Sequence, residues 1–347
     1  MRHLKLLPAL LALCLAMALN TLHATIRYVK PAGTGDGSSW GNASGDLQAI
    51  IDASGPGDEV WVSAGIYKPT SGTDRGISFS MKNGLVIYGG FPGVPGQEGD
   101  FGIRDWAAYP SILSGDIGGT AHTDNSYRVI DNDFTAGDPL NSSAVLDGFT
   151  LQGAYADGSF PLNLGGGMWN SYASPTIRNC IFRNNYAVAG GGMFNANAAP
   201  TVINCLFAGN TGTAAGAGIS NGGGSDLAQA INCTFYGNTG PNTINNQSNA
   251  VFTNCIVWGN DAGISGGVVN YSIVQGGFPG ANNLDTDPLF TDAANDDFTL
   301  QACSPAIDAG TNTGAPTNDL DGNSRPFNAT GFATVDMGAY EYQSTYD

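Results

Sequence analysis

The chain has 347 residues, of which 51 are glycine, and only 12% are charged. Abundant turn formers with few charged side chains are typical of an all-β protein and argue against a helical enzyme. The formal net charge of −17 is expected to repel nucleic acid and anionic lipid, and we expect no nucleic-acid partner. We expect the charge to repel anionic polysaccharide as well, unless cations bridge the two. The alternative is that this charge only keeps an extracellular protein soluble.

The first segment in chain order predicts export. A short basic start precedes an apolar run from Leu6 to Leu19, which has the length of a signal peptide and is short for a membrane span. We predict a signal peptide at residues 1–24, cleaved after Ala24. No later segment is suited to cross a membrane, so we expect a secreted or cell-surface protein, and a monomer.

Residues Asp46 to Ser54 predict a short amphipathic helix. Leu47, Ile50 and Ile51 fall on one helical face, which would close the open N-terminal end of a stack of strands. The long Gly/Pro/Asp stretches further on, such as Pro92 to Asp105, are predicted loops, and loops on a rigid scaffold often carry function. The predicted strands outside the central repeats are Glu59 to Tyr67, Leu85 to Phe91, Ser111 to Ile117, Tyr127 to Phe134, Val145 to Gln152, Val268 to Gln275 and Phe298 to Gln301.

An internal repeat sets the architecture. The sequence Asn179-Cys180-Ile181-Phe182 recurs in similar form around three later cysteines, at steps of 25, 28 and 22 residues. A period of this length, made of short β-prone segments and Gly/Asn turns, is typical of one coil of a β-solenoid. We therefore predict a parallel β-helix over residues 25–283. The later cysteines are Cys205, Cys233 and Cys255, and a second repeated block begins at Gly165, Gly190 and Gly216.

Stacked coils place like residues over like residues, about 4.8 Å apart. Cys and Phe lie two residues apart in each repeat, so they share a face, and we predict that both point inward. Adjacent cysteines would come near disulfide distance, but the odd number left after signal cleavage favours free thiols in a packing role. An asparagine column is predicted in a turn, with side-chain amides hydrogen-bonded along the stack, at Asn185, Asn210, Asn238 and Asn260.

Three stretches resemble known families. The Gly-Gly-Gly-Met and Phe-x-x-Asn repeats are similar to those of bacterial polymorphic outer-membrane β-helix proteins. The segments from Tyr28 to Trp40 and from Val60 to Tyr67 look like the start of pectin-lyase-like right-handed β-helix proteins. The tail resembles the C-terminal region of secreted β-helix proteins of the choice-of-anchor kind, through its segments at Asp287–Phe290, Ser304–Gly310, Asp319–Arg325 and Val335–Tyr342.

These resemblances imply a right-handed parallel β-helix and a location outside the cell. They imply that residues 284–347 form the C-terminal end or cap region of the β-helix. They imply no particular reaction, because such families include enzymes, adhesins and proteins of other roles. We expect a non-catalytic protein that acts in adhesion or binds an extracellular polysaccharide or cell-surface glycan. The alternative is a polysaccharide lyase or glycoside hydrolase acting on uronate-containing polysaccharide, with its site on the exterior groove or in the loops near residues 92–125.

Basic and acidic side chains are scarce where such an enzyme would need them. A lyase must neutralise a substrate carboxylate and supply a base, yet the regular coils hold only Arg178 and Arg183 as basic groups. A glycosidase needs clustered carboxylates, and Asp147 stands isolated in the sequence. We therefore name no catalytic residue.

Two further candidate sites emerge. Arg183, Tyr236 and Trp258 fall in one outward column, where aromatic rings on adjacent coils would stack against sugars, unless a long loop covers the strip. Asp319, Asp321 and Asn323 place oxygen ligands at alternate positions around a glycine turn, which suits Ca²⁺. The motif is shorter than an EF-hand loop and lacks its distal Glu, so an Asx-turn network in the terminal cap is the alternative. Calcium is the one cofactor considered.

Overall fold

The computed structural model describes residues 24–224, 228–247, 249–327 and 334–343. The predicted signal peptide lies outside these residues, apart from Ala24. One α-helix, α1 (Leu47–Ala53), begins after Asp46, whose side chain accepts a hydrogen bond from the Ala49 backbone N–H at 2.9 Å. Its buried face packs near the first strand at the N-terminal end, as predicted.

Strands of successive coils form stacked parallel sheets. The first sheet has nine strands: β1 (Ile26–Val29), β2 (Glu59–Ser63), β4 (Val86–Phe91), β7 (Val145–Asp147), β11 (Thr176–Arg178), β15 (Thr201–Ile203), β19 (Gln229–Ile231), β22 (Val251–Thr253) and β25 (Val268–Asn270). The second has eight: β3 (Gly65–Tyr67), β5 (Ser111–Ser114), β8 (Phe149–Gln152), β12 (Ile181–Arg183), β16 (Leu206–Ala208), β20 (Thr234–Tyr236), β23 (Ile256–Trp258) and β26 (Ile273–Val274).

Two smaller parallel sheets complete the coils. The third has six strands: β6 (Ile130–Asp133), β10 (Met168–Ser171), β14 (Met193–Ala196), β18 (Ile219–Asn221), β21 (Ile244–Asn246) and β24 (Ile264–Ser265). The fourth has three: β9 (Tyr155–Ala156), β13 (Tyr186–Ala189) and β17 (Thr211–Ala215). Each strand pairs with its counterparts in neighbouring coils, so the architecture is the predicted parallel β-helix.

Several predicted single strands are divided by a corner of the coil. The stretch Val145 to Gln152 breaks at Gly148, and Val268 to Gln275 breaks near Tyr271. Both corner residues have positive φ, 80° and 50°, a conformation open to glycine and reached by few other residues. In the regular coils the same corner is held by asparagine, as at Asn179 (φ 53°). Alternation of apolar residues predicts strands but does not reveal such a corner.

The predicted interior file is confirmed. Cys180, Cys205, Cys233 and Cys255 are all free and fully buried, with 0% exposure. The rings of the neighbouring phenylalanines stack face to face inside the coils, with centroids 4.6 Å apart between Phe182 and Phe207 and 4.8 Å apart between Phe207 and Phe235. Thiols and phenyl rings thus fill the lumen, as inferred from their two-residue spacing.

Ladders of asparagine side chains hydrogen-bond to one another along the stack of coils. In the predicted column, the Asn210 amide donates to Asn238 Oδ1 at 3.0 Å, while Asn210 Oδ1 accepts from the Asn185 amide at 3.2 Å. A second ladder, which the sequence analysis did not predict, runs through the third sheet. Its members each donate an amide hydrogen to the next coil, in the order Asn132, Asn170, Asn195, Asn221 and Asn246.

The described part of the C-terminal region lies along the side of the β-helix. Residues 281–284 hydrogen-bond to the last coil, after which the chain turns back. An antiparallel hairpin, β27 (Phe290–Asp292) and β28 (Asp297–Leu300), follows on the outer face of the second sheet. That face is apolar here, with Leu206 and Ile256 buried beneath the segment. The expected end cap is therefore mainly a lateral cover, because apolar outward residues offer it a surface to bury.

Candidate functional site

A cleft of about 790 Å³ opens on the outer face of the first sheet. Its first wall is formed by residues 101–106, which lie within the loop stretch predicted as a possible site. Its second wall is formed by residues 314–322 of the C-terminal region. Two segments more than 200 residues apart therefore meet over one sheet, and neither repeats from coil to coil.

Strand register builds the floor of the cleft. Tyr88, Asp147, Arg178 and Ile203 are successive in-register partners on β4, β7, β11 and β15. Alternation along each strand turns these residues outward, because their neighbours Ile87, Leu146, Ile177 and Val202 are buried in the interior. The floor is thus one file of side chains, one from each coil.

Asp147 is the centre of this floor, and its partners there are two guanidinium groups and an amide rather than further carboxylates. Its Oδ1 lies 2.6 Å from Arg104 Nη2 and its Oδ2 lies 2.5 Å from Arg178 Nε. The Asn179 amide donates to Oδ1 at 2.9 Å. The side chains of Asp147 and Arg104 are only 4% and 5% exposed, whereas Arg178 is 40% exposed. Arg178 therefore presents the accessible part of the cluster to the cleft.

Arg104 anchors the first wall to the floor. Its guanidinium lies over the rings of Trp106 and Tyr88, at 4.5 and 5.0 Å from their centroids, and its Nε donates to the Gly89 carbonyl. Glycine at position 148 leaves room for this arrangement, because a Cβ there would lie 2.3 Å from Arg104 Nη2 and would displace the guanidinium. Packing of arginine against aromatic faces positions both charge and rings.

The environment keeps Arg178 charged and Tyr88 protonated. Burial disfavours the charge of Arg178, but the Asp147 carboxylate and the Tyr88 hydroxyl together raise its pKa. Burial also raises the pKa of Tyr88. At neutral pH the floor therefore offers a guanidinium and a protonated phenol, both of which donate hydrogen bonds.

The two walls are joined at one end of the cleft, where the Trp106 indole N–H donates to the Leu320 carbonyl oxygen. Asp105 and Asp321 flank this joint, one from each wall, and both residues reach the solvent, although the protein atoms around the Asp321 carboxyl partly desolvate it. Burial, together with the charges of Asp319, Asp297 and Asp105, raises the pKa of Asp321 to about 6. The joint end of the cleft therefore carries crowded carboxylates.

A buried ion pair holds the second wall against the coils. Arg325 Nε lies 2.8 Å from Glu341 Oε2, and both side chains have 0% exposure. Arg325 Nη1 also donates to Asn204 Oδ1 at the corner of a coil. Nearby, burial and the charge of Glu341 raise the pKa of Asp336 to about 7. Several carboxylates thus depend on a single guanidinium.

The candidate calcium residues belong to a turn at the end of the second wall, and of the three Asp321 lines the cleft. Asp319 is buried, and its Oδ1 accepts from the backbone N–H groups of Asp321 and Asn323 at 3.0 and 2.7 Å. Its Oδ2 accepts from the Asn323 amide and the Glu341 backbone N–H. This is an Asx-turn network of the kind considered as the alternative. Within the described ranges, no group of three or more His, Cys, Asp or Glu side chains is arranged to hold a metal ion.

The predicted exterior strip lies beneath the C-terminal hairpin. Tyr236 and Trp258 are in-register neighbours, as expected. The Tyr236 ring meets the two hairpin phenylalanines at centroid distances of 5.8 and 5.1 Å, and Trp258 packs against the apolar cluster that contains Leu300. Arg183 pairs with Asp296 at the turn of the hairpin. The covering segment that the sequence analysis left open is thus present over the aromatic pair.

Comparison with known proteins identifies the fold. The family described as right handed beta helix region matches residues 123–275. Among solved structures, the crystal structure of pectate lyase Pel9A is similar, with 13% identity and a TM-score of 0.36 over 92% of this chain and 96% of that chain. No curated protein matches. The parallel stacking of the strands and the family match together give a right-handed parallel β-helix, as predicted. No helix in the described part of the chain has the length and apolar character needed to span a membrane.

Proposed function

We propose that this protein is an exported glycan-binding protein that holds a polysaccharide segment in the cleft without cleaving it. The observation that carries the proposal is the cleft itself, in which aromatic rings stand beside exposed polar donors. Phe101 is 45% exposed, Trp106 and Tyr88 are partly exposed, and Arg178 projects from the floor. Sugar rings stack on aromatic faces, while their hydroxyl groups take hydrogen bonds from such donors.

The proposal moves the binding site from the exterior strip to the cleft. Tyr236 and Trp258 are packed against the C-terminal region, whereas the cleft is open and lined by groups suited to a carbohydrate. Export rests on the apolar run at Leu6 to Leu19 in the sequence. These two features together support the proposed role in adhesion or polysaccharide binding at the cell surface.

Trp106→Ala is expected to weaken glycan binding about tenfold, because loss of one stacking ring costs about 1.4 kcal/mol. The measurement is retention of the mature protein in native affinity gels that contain xylan, pectate or alginate. Trp258→Ala is the matched control, since it removes the same side chain from the covered strip. If Trp258→Ala loses retention at an unchanged melting temperature while Trp106→Ala keeps it, the strip and not the cleft is the site.

Calcium remains part of the proposal as a structural ion near Asp319, Asp321 and Asn323. Carboxylate and amide oxygens are the ligands that Ca²⁺ prefers. An ion bound only by the folded state raises the melting temperature in proportion to the logarithm of its concentration. Melting curves in Ca²⁺ and in EGTA test this directly, and identical curves would mean that the protein binds no structural calcium.

Cleavage of polysaccharide is the second candidate function. It is favoured by one observation, which is that Arg178 and the carboxyl of Asp321 line the same cleft. A carboxyl with a pKa of about 6 is suited to donate a proton near neutral pH, and a guanidinium is suited to hold a uronate. The test is to incubate the protein with pectate, alginate or chondroitin and to measure the absorbance of unsaturated uronates and the release of reducing sugar. Turnover of any of the three would mean that the protein cleaves polysaccharide and does not only bind it.

A further inference from the structure

The walls of the cleft stand at opposite ends of its floor along the axis of the β-helix. The first wall covers Tyr88, because the Phe101 ring meets the Tyr88 ring at a centroid distance of 4.9 Å. The second wall reaches the other end of the floor, where Asn204 follows Ile203 and donates its side-chain amide to the Asn318 carbonyl oxygen at 2.7 Å. The channel between the two walls therefore runs along the strands, perpendicular to the axis.

The channel is closed on the side where the floor strands end. Each wall is tied down there, the first through the ion pair of Arg104 with Asp147, at 2.6 Å, and the second through Asn204. The joint closes this side, because the Trp106 indole N–H donates to the Leu320 carbonyl oxygen across the gap between the walls. Leu320 is itself buried in an apolar cluster on the outer face of the second sheet, so packed side chains lie behind the joint. The joint therefore forms a stop at this end of the channel.

The opposite side of the channel is open to solvent at the starts of the floor strands. The outward residues there pair in register from coil to coil and are all partly exposed. They are Val86, Val145, Thr176 and Thr201. With a volume of about 790 Å³, the cleft falls within the range of about 300–1,000 Å³ that is typical of sites for small ligands. It is therefore sized for a short segment that enters from the open side.

The stop distinguishes a terminal sugar from an internal one. A terminal sugar carries a free hydroxyl group where an internal sugar is linked to the next unit. Arg178 projects from the floor with 40% of its side chain exposed, and its N–H groups donate hydrogen bonds to such hydroxyl oxygens. The unit that continues an internal segment would instead overlap the Trp106 ring and the packed residues behind it. Clashes with a competing ligand are one of the two ways in which proteins obtain specificity.

We infer that the cleft binds the end of a glycan chain and excludes internal segments. The terminal sugar lies against Trp106 at the stop, and the remainder of the chain leaves over the starts of the floor strands. This inference rests on the proposed glycan-binding function and adds which part of a polysaccharide is bound. Binding then depends on the number of chain ends, so a long polymer offers few sites for its mass.

The test compares long and short chains of the same polysaccharide at equal mass. Xylan, pectate and alginate are each used intact and after partial cleavage, in EGTA, as free competitors that release the mature protein from affinity gels of the same polysaccharide. For chains cut to about one tenth of their length, we expect the mass concentration for half-release to fall about tenfold, because the number of ends per gram rises by that factor. A site for internal segments would give no such fall.

Trp106→Phe separates the stop from the stacking surface. It keeps an aromatic ring but removes the N–H group that bonds to Leu320, so the joint is expected to open. The ratio of half-release masses between intact and cleaved chains should then fall from about ten to about one. Phe101→Ala is the matched control, because Phe101 is a 45% exposed ring of the first wall that lies outside the joint. It should weaken binding of both forms alike and keep the ratio.

Borohydride reduction of the cleaved chains then assigns the end that is bound. Loss of release identifies the reducing end, and unchanged release identifies the non-reducing end. Equal half-release masses for intact and cleaved chains, or a ratio that persists in Trp106→Phe, overturns the inference but leaves glycan binding in place. Absence of retention on all three gels overturns the proposed function as well, so the two failures are distinguishable.

Discussion

Cys205→Asp is expected to unfold the β-helix under conditions in which the wild-type protein is stable. Cys205 is fully buried between Cys180 and Cys233, and its thiol meets the backbone carbonyls of Ile177 and Ile203 and the neighbouring thiols. A carboxyl kept neutral there at pH 7 costs about 4 kcal/mol, since its ordinary pKa lies about three units lower. That is a large part of the net stability of about 5–15 kcal/mol that is typical of a folded protein. Urea denaturation followed by circular dichroism measures the loss.

Cys303→Asp makes the same substitution at an exposed cysteine and serves as the control. It should leave the urea midpoint unchanged, because its carboxylate remains in water. Cys205→Ala separates the loss of the sulfur from the gain of the charge and is expected to cost about 1–2 kcal/mol. Equal midpoints for Cys205→Asp and Cys303→Asp would show that the thiols do not lie in a closed interior.

Arg325→Met is expected to destabilise the C-terminal region by about 3–5 kcal/mol, the cost of removing one partner of a buried ion pair. The change leaves Glu341 without its guanidinium and removes a donor from Asn204 Oδ1. Burial already lowers the pKa of Arg325 and raises that of Glu341, so the pair holds its charges only while both members are present. Urea denaturation gives the magnitude.

Hydrogen exchange locates the effect. Amides of the second wall, residues 314–322, should exchange faster in Arg325→Met, whereas the interior coils should keep their protection. The control is Arg183→Met, which breaks the exposed pair with Asp296 and should cost less than about 1 kcal/mol. A loss in Arg325→Met no greater than in Arg183→Met would mean that the wall is held by apolar packing alone.

The fold was predictable because equivalent positions of successive coils carry the same residue types. One tetrapeptide at steps of 22 to 28 residues predicts which side chains stack, and the cysteine and phenylalanine files follow from it. Corners were harder to predict. Asn179 marks its corner within the repeat, but Gly148 takes the same positive φ outside it, so Val145 to Gln152 reads as one strand.

The presence of glycine instead of asparagine at this corner also hid the candidate site from the sequence analysis. Because Gly148 stands where later coils have asparagine, an alignment on Asn-Cys does not reach back to Asp147, which is the in-register partner of Arg178. Extending the repeat on the glycine would have brought these two residues together. The contacts of Arg104 and of the Trp106–Leu320 joint had no such signal. Arg104 reaches Asp147 from a non-repeating loop 43 residues away, and Trp106 reaches Leu320 across 214 residues. No local pattern encodes either pairing.

The joint between Trp106 and Leu320 also orders events during synthesis. Coils of a solenoid contact only their neighbours, so the early ones are able to form as they leave the ribosome. The partner of Trp106 is made 214 residues later, a delay on the order of 10–40 s at ordinary translation rates. Throughout that interval the nascent coils exist without a finished cleft, and the outward apolar residues awaiting the last segment stay bare. The time of greatest exposure to aggregation and the time without function are therefore the same.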